Sequence, residues 1–569
     1  MSNLNGLGHY DNPSQVTDFY MGVVGYFTAE IGLWSDLHTY SGGLGVLAGD
    51  HVKSAADAET NLVAISLLYR EGYGKQHLDD TGNQSESFAA IDPKEHMTDT
   101  GHVLSLPLDG GILHSRVWKV DVTGQSGFTV PVYFLDTKHP DNSQEHQKLG
   151  ARLYGGDDGV RIRQEYLLGV GGIRLLSLLG IELSGLHLNE GHCTFALLEM
   201  LRMGFTREDL AKRTLFTTHT PVPAGHDRFD WESVKSVIGT LLPEDSVELV
   251  KEAGDPENGE RCSMSHLAFA LSGSVNAVSH LNAKVASSMF AGQAVAPITN
   301  GIHHLTWTGS ALSELFDEYL PGWRVDPLIL QSANSIPDEA LINSRNQARS
   351  ELRTLVREST GVELDEKRLT IGFARRFATY KRANLVFSDL ERLREIGAKR
   401  IQFVFAGKAH PRDQGGKALI KSIFSSAKDL AEDIPVAFLE DYSMASGLAM
   451  TSGVDIWLNN PIRPMEASGT SGMKAAMNGV PNCSILDGWW PEGCEHGVNG
   501  WAIGNAEDDS NDTKDAQYVL DVLEKEVLPA WEQGSERWCN LMRASIATSA
   551  RFTGVRMIND YHRFYDSFE

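Results

Sequence analysis

Short apolar runs alternate with longer stretches of helical periodicity along the second half of the chain. The apolar runs have the length of strands, and the stretches between them carry apolar residues three and four positions apart. This alternation predicts a parallel, doubly wound sheet with helices on its faces. The runs are LTIGFARRF (369–377), IQFVFAGK (401–408), IPVAFLE (434–440), VDIWLNN (454–460) and PNCSILDG (481–488).

The first half shows the same alternation in a less regular form. An apolar run that starts at Val23 ends at Glu30, and a glycine-rich stretch, a helix-like segment from about 49 to 59 and a second run over 62–69 predict a βαβ unit. The later part of this half predicts strands near 115–121 and 129–136, a helix over 160–180, and strands that end at Asn189 and His219.

Together the two halves predict an α/β protein in which two Rossmann-like, doubly wound domains face a central cleft. Polar groups just beyond strand ends are where open α/β sheets bind ligands, so the chemistry is expected in that cleft. We expect one domain over 1–310 and a second over 311–569, with a polar seam near 322–339. The last stretch, about 515–569, is predicted to be helical, and its final helix is expected to pack back on the first domain.

Composition excludes several classes of function. Lys and Arg total 50 against 75 Asp and Glu, and the formal net charge of −25 opposes binding to nucleic acid or to anionic membranes. The five cysteines are scattered and never spaced C-x-x-C, so neither a disulfide framework nor a thiolate zinc site is predicted. The first 15 residues lack the pattern of a signal peptide, and no run of about 18 apolar residues occurs, so a cytoplasmic protein is expected.

The glycine-rich stretch is the first candidate site. Residues 43–48 (GLGVLA) satisfy G-x-G-x-x-A, which is typical of dinucleotide binding. However, the glycines come roughly ten residues after the strand, and the acidic Glu71 lies about 26 residues past Gly45 instead of about 20. The remaining interpretations are a glycine loop that opens a helix and binds an anionic phosphate, or a tight turn packed for steric reasons.

A cationic cluster follows the predicted strand at 369–377. Arg375, Arg376, Lys381 and Arg382 lie at or just beyond the strand end. Such a cluster is commonly a solvated face, but in a chain of net charge −25 its position beside a cleft favours binding of an anion.

The segment 464–481 (PMEASGTSGMKAAMNGVP) predicts a Ser/Gly/Thr loop that opens a short helix ending at Gly479. The backbone N–H groups around 469–472 would point at a ligand from the helix N-terminus. Lys474 lies one turn into the helix between Met473 and Ala475, where burial would lower the pKa of its amine and make it a Schiff-base nucleophile. A solvated helix lysine is the alternative.

Other polar residues give weaker signals. The segment 189–192 (NEGH) together with His187 could offer metal ligands, but no third-ligand spacing accompanies it, and no metal site is predicted. Taken singly, His219 and Asn276 are typical of hydrogen-bonded polar residues in a core.

Seven motifs, taken in order, resemble those of the α-glucan (glycogen, starch, maltodextrin) phosphorylases in their compact microbial form. The resemblance runs from about Tyr26 to about Gly488. It implies a GT-B arrangement, a pyridoxal 5′-phosphate cofactor held by a lysine, and reversible transfer of glucosyl units between the non-reducing end of an α-1,4-glucan and inorganic phosphate, with retention. The product would be α-glucose 1-phosphate, and the relatives are commonly homodimers. The motifs are YSGGLGVLAGD, LNEGH, TTHTPVPAGH, SVNAVSHLN, TNGIHHLTW, RRFATYKR and EASGTSGMKAAMNG.

The resemblance also implies roles for individual residues. Lys474 would carry the cofactor, with Thr470 and the Ser471 backbone on its phosphate, while Arg376 and Lys381 would bind the substrate phosphate and Lys381 would also serve the cofactor. The catalytic set is therefore Arg376, Lys381, His219 and Lys474. His219 and Asn276 match positions that contact the glucosyl ring, Glu466, Ser468 and Gly469 match other hydroxyl-binding positions, and Gly42, Gly43 and Leu44 form the loop that approaches the phosphates. Glu30 matches an acidic position to which no role is assigned.

Three alternatives stay open from the sequence. A nucleotide-sugar glucan synthase shares the fold and the G-G-L-G turn, but its pattern has a lysine where Tyr40 and Ser41 stand here, and it has no use for Lys474. A non-catalytic glucan-binding relative would not need Arg376, Lys381 and Lys474. An NAD-dependent oxidoreductase rests on 43–48 alone. The segment before Glu30 does not resemble the regulatory arm of the animal phosphorylases, so allosteric regulation is not expected.

Overall fold

The computed structural model describes residues 22–568 except for 223–224, 239–246, 248–249, 252–260, 291–293 and 507–509. The first 15 residues, to which the signal-peptide expectation applies, lie outside the described residues, as does most of the segment before Glu30.

The first sheet is parallel except at one edge. Within the described residues it has nine strands, of which β5 and β6 pair antiparallel with each other and β6 pairs antiparallel with β7, while all other neighbours are parallel. Every residue of β2 is buried, as expected for a strand covered on both faces. In spatial order the strands are β13 (Ala296–Pro297), β12 (Ser274–Ala277), β9 (Thr214–Thr218), β8 (Leu183–Asn189), β1 (Val23–Thr28), β2 (Leu62–Leu67), β7 (Thr129–Asp136), β6 (Gly111–Thr123) and β5 (Thr98–Leu108).

The second sheet is parallel throughout the part that the structure describes. Two neighbouring inner strands, β14 and β15, are buried along their whole length. The spatial order is β16 (Val436–Leu439), β15 (Ile401–Ala406), β14 (Leu369–Ala374), β17 (Ile456–Asn459), β18 (Asn482–Ile485) and β19 (Gly500–Ile503). Two antiparallel pairs stand outside the sheets: β3 (Lys75–Leu78) with β4 (Gln84–Ser87), and β10 (Arg228–Asp230) with β11 (Arg261–Ser263).

Helices fill the connections between the strands. The α-helices are α1 (Gly43–Asp57), α2 (Gln144–Leu149), α3 (Asp158–Tyr166), α4 (Gly172–Leu178), α5 (Phe195–Arg202), α6 (Arg207–Lys212), α7 (Trp231–Ile238), α8 (Met264–Leu271), α9 (His280–Met289), α10 (His304–Trp307), α11 (Ser310–Tyr319), α12 (Asp338–Thr360), α13 (Leu390–Gly397), α14 (Gln414–Leu430), α15 (Met444–Gly453), α16 (Thr470–Met477), α17 (Trp490–Gly493), α18 (Asp512–Val522), α19 (Leu528–Glu532), α20 (Ser535–Ser549) and α21 (Gly554–Tyr565). Short 3₁₀ or π segments lie at Pro93–Glu95, Leu167–Gly171, Gly191–Cys193, Pro327–Ser335, Thr379–Lys381, Leu385–Phe387, Leu523–Val527 and Ala550–Phe552.

Two features connect the halves of the chain. Helix α21 returns to the first sheet, where Met557 and Tyr561 share an apolar cluster with Val24 and Leu215. The β3–β4 hairpin reaches the other way. The side-chain amide of Gln76 donates to the Gly407 carbonyl at 2.9 Å, and the amide of Gln84 donates to the Ala409 carbonyl, also at 2.9 Å. A hairpin from the first half of the chain and a helix from the second half therefore each contact the other half.

The structure confirms most of the predicted elements, corrects the start of one helix and adds strands that were not predicted. All five apolar runs of the second half form strands, and 512–565 is mainly helical. Helix α1, predicted from about 49, begins at Gly43. Within this helix, glycine lets the backbone approach a neighbouring loop: a Cβ on Gly49 would lie 1.9 Å from the Gly32 carbonyl oxygen. Strand β5 was not predicted, and it forms the antiparallel edge with β6. Among the described residues, no helix combines the length and the apolar character that crossing a bilayer requires.

Candidate active site

The carboxyl ends of strands from both sheets open into one cavity of about 490 Å³. Glu30, Glu190 and His219 follow β1, β8 and β9, while Arg376 and Lys408 follow β14 and β15. Parallel sheets bring residues that follow their strands to the same edge, which is why residues so distant in sequence meet here. Twelve of the thirteen predicted site residues line this cavity: Gly42, Gly43, Leu44, His219, Arg376, Lys381, Glu466, Ser468, Gly469, Thr470, Ser471 and Lys474.

Two helices present their N-termini to the cavity without a side-chain cap. Helix α1 begins after Gly42, and no protein atom lies within 4 Å of the position that a Cβ would take on Gly42 or Gly43. Helix α16 begins after Gly469, whose φ of +82° is in the left-handed region that glycine adopts without strain. Unpaired N–H groups at helix N-termini bind anions, so both loops are suited to phosphate.

Lys474 lies in the first turns of α16 and is buried. Its Nζ stands 3.5 Å from the centroid of the Trp307 ring and forms no hydrogen bond to any described residue. Burial lowers the pKa of this amine to about 8, although Asp50 opposes the shift. The direction agrees with the prediction that burial of Lys474 lowers its pKa, and a pKa of about 8 leaves about half of the amine neutral at pH 8.

Trp307 is itself held from two sides. Its indole Nε1–H donates to both carboxylate oxygens of Asp50 at 2.9 Å, and its carbonyl accepts from the Asn478 side chain at 2.7 Å. The same Asn478 amide donates to the Lys474 carbonyl at 2.8 Å. The aromatic surface beside the lysine is therefore fixed, and its motif, TNGIHHLTW, was visible in the sequence although no role was assigned to Trp307.

The four residues of the predicted cationic cluster have three different environments, and two of them, Arg375 and Lys381, share a carboxylate. Glu466 accepts hydrogen bonds from Arg375 at 2.6 Å and from Lys381 at 2.8 and 2.9 Å. Burial opposes ionisation of Glu466, but the charges of Arg375 and Lys381 outweigh it and hold the pKa of this carboxyl below its ordinary value. The group carries one net positive charge, and the Arg375 Nε and Nη1 atoms keep no acceptor among the described residues.

Arg376 is the free cation of this segment. Its residue is exposed toward the cavity, and within the part of the chain that the structure describes it forms no ion pair or hydrogen bond. Arg382, by contrast, turns away from the cavity. Its guanidinium donates to Asp515 at 2.7 Å and to the carbonyls of Asn460 and Pro461, so it stabilises the fold and does not belong to the anion site, contrary to the prediction.

The cavity as a whole is cationic. Six Lys or Arg side chains line it against three carboxylates, in a chain whose formal net charge is −25. The cations are Arg161, Arg375, Arg376, Lys381, Lys408 and Lys474, and the acids are Glu30, Glu190 and Glu466.

Glu30, which had no predicted role, holds the glycine loop. Its carboxylate accepts the backbone N–H of Ser41 at 2.5 Å and the Tyr154 hydroxyl at 2.9 Å. Burial raises the pKa of this carboxyl, and the hydrogen bonds from Ser41 and Tyr154 oppose the rise. Ser41 directly precedes the two open glycines, so Glu30 fixes the entry of the chain into α1.

His219 enters the cavity as a neutral imidazole, because burial lowers its pKa to about 4. The ring Nε2 lies 2.7 Å from the Asn189 Oδ1, and the Asn189 amide group donates to Thr28. An amide oxygen only accepts, so Nε2 carries the ring proton and Nδ1 is left as an acceptor.

Asn276 is the one predicted site residue that the structure does not bring to the cavity. It is fully buried in β12, where its Oδ1 accepts from Thr217 at 2.6 Å and its Nδ2 donates to Tyr561 at 3.1 Å. The reason is its position: Asn276 lies within the strand, under α21, whereas the cavity is lined by residues beyond strand ends.

Asn300 was missed and lines the cavity instead. It follows β13, and its buried Oδ1 has no partner among the described residues. The signal was present in the sequence, since Asn300 belongs to the TNGIHHLTW motif. In the weak metal candidate at 187–192, both ring nitrogens of His187 are engaged by hydroxyl groups, one of Tyr565 and one of Thr217, each at 2.7 Å.

Comparisons with known proteins agree with the geometry. The family model described as carbohydrate phosphorylase matches residues 242–496. The chain is 39% identical to a maltodextrin phosphorylase of Thermococcus litoralis, with 98% of this chain and 73% of that protein covered. It is 35% identical to a glycogen phosphorylase of Mycobacterium tuberculosis, with 95% of this chain and 70% of that protein covered, and 35% identical to a glycogen phosphorylase of Aquifex aeolicus, with 97% and 87% covered.

Proposed function

The chain belongs to the carbohydrate phosphorylase family, and from that premise we propose that it is an α-1,4-glucan phosphorylase. It transfers the glucosyl unit at the non-reducing end of an α-1,4-glucan to inorganic phosphate, reversibly, and forms α-glucose 1-phosphate. The observation that carries this proposal is the unpaired Arg376 in the same cationic cavity as two uncapped helix N-termini.

Pyridoxal 5′-phosphate is the cofactor that these residues fit. The open glycines 42 and 43 and the N-terminus of α16 leave room and donors for a phosphate, and the buried Lys474 amine has no hydrogen-bond partner among the described residues. We propose that Lys474 holds the cofactor covalently, with Gly43, Lys381, Thr470 and Ser471 around it. When bound, the cofactor supplies a phosphate that exchanges a proton with the substrate phosphate.

The protein's cations bind the two phosphates. Arg376 offers a planar guanidinium that can bind two phosphate oxygens at once, and its charge is not offset by any described carboxylate within hydrogen-bond distance. Lys381 and Arg375 add positive charge through their group with Glu466. Two phosphates side by side repel each other, and fixed cations in a partly closed cavity offset that repulsion.

The sugar is bound by neutral groups. The Nδ1 atom of His219 accepts a hydrogen bond from a glucosyl hydroxyl, since Nε2 is engaged by Asn189. Asn300 adds an unpaired amide oxygen at the same cavity, and Glu466, Ser468 and Gly469 line its other side. Tyr73, Tyr154 and Tyr380 supply aromatic surface for the apolar faces of glucose rings.

The cavity acids do not supply the carboxylate nucleophile of a double displacement. Glu30 is bonded to Ser41 and Tyr154, Glu190 to the chain after β9, and Glu466 to Arg375 and Lys381. None of the three is left as a free nucleophile, and they do not form the carboxylate pair of a glycosidase. With the retention that the family resemblance implies, phosphate then attacks from the face that the leaving glucan vacates.

We further propose two Rossmann-like domains in a GT-B arrangement, over 1–310 and 311–569, and a homodimer in solution. The shared cavity at the strand ends of both sheets supports the arrangement. Sedimentation velocity tests the dimer.

The proposed reaction is tested with the purified protein. Maltoheptaose and inorganic phosphate should yield glucose 1-phosphate, and the protein should show the visible absorbance of bound pyridoxal phosphate. Chain extension from ADP-glucose or UDP-glucose that is faster than from glucose 1-phosphate would instead indicate a nucleotide-sugar synthase.

A further inference from the structure

Glu190 stands in an unusual backbone conformation directly after β8. Its φ is +76°, a region that residues with side chains rarely adopt, and the residue is only 5% exposed. Such conformations persist where the surroundings impose them, and they cluster at functional sites. In the sequence, Glu190 belongs to the LNEGH motif and to a weak metal candidate, neither of which assigns it a role.

The carboxylate of Glu190 holds the start of the segment that follows β9. Its Oε2 accepts the backbone N–H of His219 at 2.9 Å, the backbone N–H of Thr220 at 3.1 Å and the Thr220 hydroxyl at 3.0 Å. Its Oε1 accepts the N–H of Gly191 at 3.2 Å. One buried side chain thus fixes the direction in which the chain leaves the neighbouring strand.

That direction decides where the His219 ring lies. The ring is held at its other end by the Asn189 Oδ1, so the residues on both sides of the β8 terminus, 189 and 190, orient His219 together. Burial opposes ionisation of Glu190, but the electrostatic interaction with the His226 side chain and the hydrogen bond from the His219 N–H help to keep the pKa of its carboxyl below the ordinary value. An ionised carboxylate makes stronger hydrogen bonds than a neutral acceptor.

We propose that Glu190 is a positioning residue of the phosphorolysis reaction, which acts through His219 by fixing the backbone of 219–220. This inference rests on the proposed function. A positioning role differs from a purely structural one in what it predicts. If Glu190 acts by positioning His219, its replacement should lower turnover only when His219 is present.

The test is a double-mutant cycle on the cofactor-loaded enzyme. Glu190→Gln keeps the volume but removes the charge and one acceptor oxygen, and we expect kcat/KM for maltoheptaose phosphorolysis to fall by about 10- to 100-fold. In a His219→Ala background the same change should lower kcat/KM by less than about threefold, because the group through which it acts is gone. Glu190→Asp keeps the charge but is one methylene too short, and it carries the same test if the Gln variant does not fold.

Asp136 provides a matched control, because it is also a buried carboxylate that accepts several hydrogen bonds. It is fully buried, accepts bonds from Arg70, Trp118 and the Lys138 N–H, and does not line the cavity. Asp136→Asn should lower the melting temperature at least as much as Glu190→Gln and leave kcat/KM within about threefold of wild type.

A crystal structure of Glu190→Gln separates this inference from the proposed function. A displacement of residues 219–220 by about 1 Å or more supports the inference, since misplacement of that size is enough to cost about 100-fold in rate. An unmoved segment, a kcat/KM within about threefold of wild type, or a full additional loss in the His219→Ala background overturns it. A wild-type protein that forms no glucose 1-phosphate contradicts the proposed function, while the position of 219–220 in the variant still decides whether Glu190 fixes it.

Discussion

Replacing Arg376 by Gln removes a charge that no described residue offsets through a hydrogen bond or ion pair. The substitution breaks no internal hydrogen bond or ion pair and removes only an electrostatic attraction to Glu30, so the free energy of unfolding should change by no more than about 0.5 kcal/mol. For a chain of this size that corresponds to a shift in melting temperature of about 1–2 °C or less.

The effect on the reaction should be much larger. One charge-assisted contact to a phosphate in a water-poor site contributes about 2.7–4 kcal/mol to transition-state stabilisation, so phosphorolysis should slow by about 10²- to 10³-fold. The assay measures the initial rate of glucose 1-phosphate release over a range of phosphate concentrations at saturating maltoheptaose. Cofactor content and glucan binding should stay near those of wild type.

Two neighbouring cations give the matched controls. Lys381→Gln leaves the buried Glu466 paired with Arg375 alone, so this variant should lose stability as well as rate, although by less than the about 3–5 kcal/mol that an uncompensated buried charge costs. Arg382→Gln should lose stability through Asp515 with little change in the KM for phosphate, because Arg382 faces away from the cavity.

An Arg376→Gln variant that unfolds, or one that phosphorolyses maltoheptaose within about threefold of wild type, would show that this guanidinium does not bind the substrate phosphate. The same conclusion would follow if Arg382→Gln, and not Arg376→Gln, raised the KM for phosphate.

Four further predictions follow from the cavity. Lys474→Ala should purify folded and without visible absorbance, because it removes the buried amine, and stoichiometric covalent cofactor in this variant would contradict the assignment. The apoprotein should take up pyridoxal phosphate faster as pH rises and level off above pH about 8, since burial lowers the Lys474 pKa to about 8 and the neutral amine is the reactive form; a rate that keeps rising to pH 10 would indicate an unperturbed lysine. The product should be the α-anomer of glucose 1-phosphate by NMR, as the proposed retaining reaction requires, and no glycosyl ester should form, because the cavity carboxylates are all engaged; a β-anomer or an ester trapped on Asp or Glu would refute this. ADP-glucose and UDP-glucose should not extend maltoheptaose, since Tyr40 and Ser41 stand where the synthase pattern has a lysine, and extension with either one faster than with glucose 1-phosphate would refute the assigned reaction.

The sequence by itself determined five of the six strands of the second sheet and, through its resemblance to a known family, most residues of the site. Fully buried parallel strands need continuous apolar runs, so the runs at 369–377 and 401–408 predict strands without any knowledge of the adjacent strands. The burial of Lys474 could also be predicted, because Met and Ala residues flank it on the same helix. Local patterns of this kind depend on residues within a few positions of each other.

Only the tertiary structure decided which polar residues reach the cavity. Asn276 and Asn300 both lie in recognisable motifs, but the first is covered by α21, whose residues come almost 300 positions later, and the second follows a strand end. Arg382 and Arg376 belong to one cluster in the sequence. In the structure, Arg382 forms an ion pair with Asp515, whereas Arg376 forms no hydrogen bond or ion pair with a described residue. Glu190 likewise gains its role from residues 219 and 220. Where a polar side chain points, and which residues it contacts, depends on segments that are far away in the sequence. Those segments meet only when the two sheets pack together.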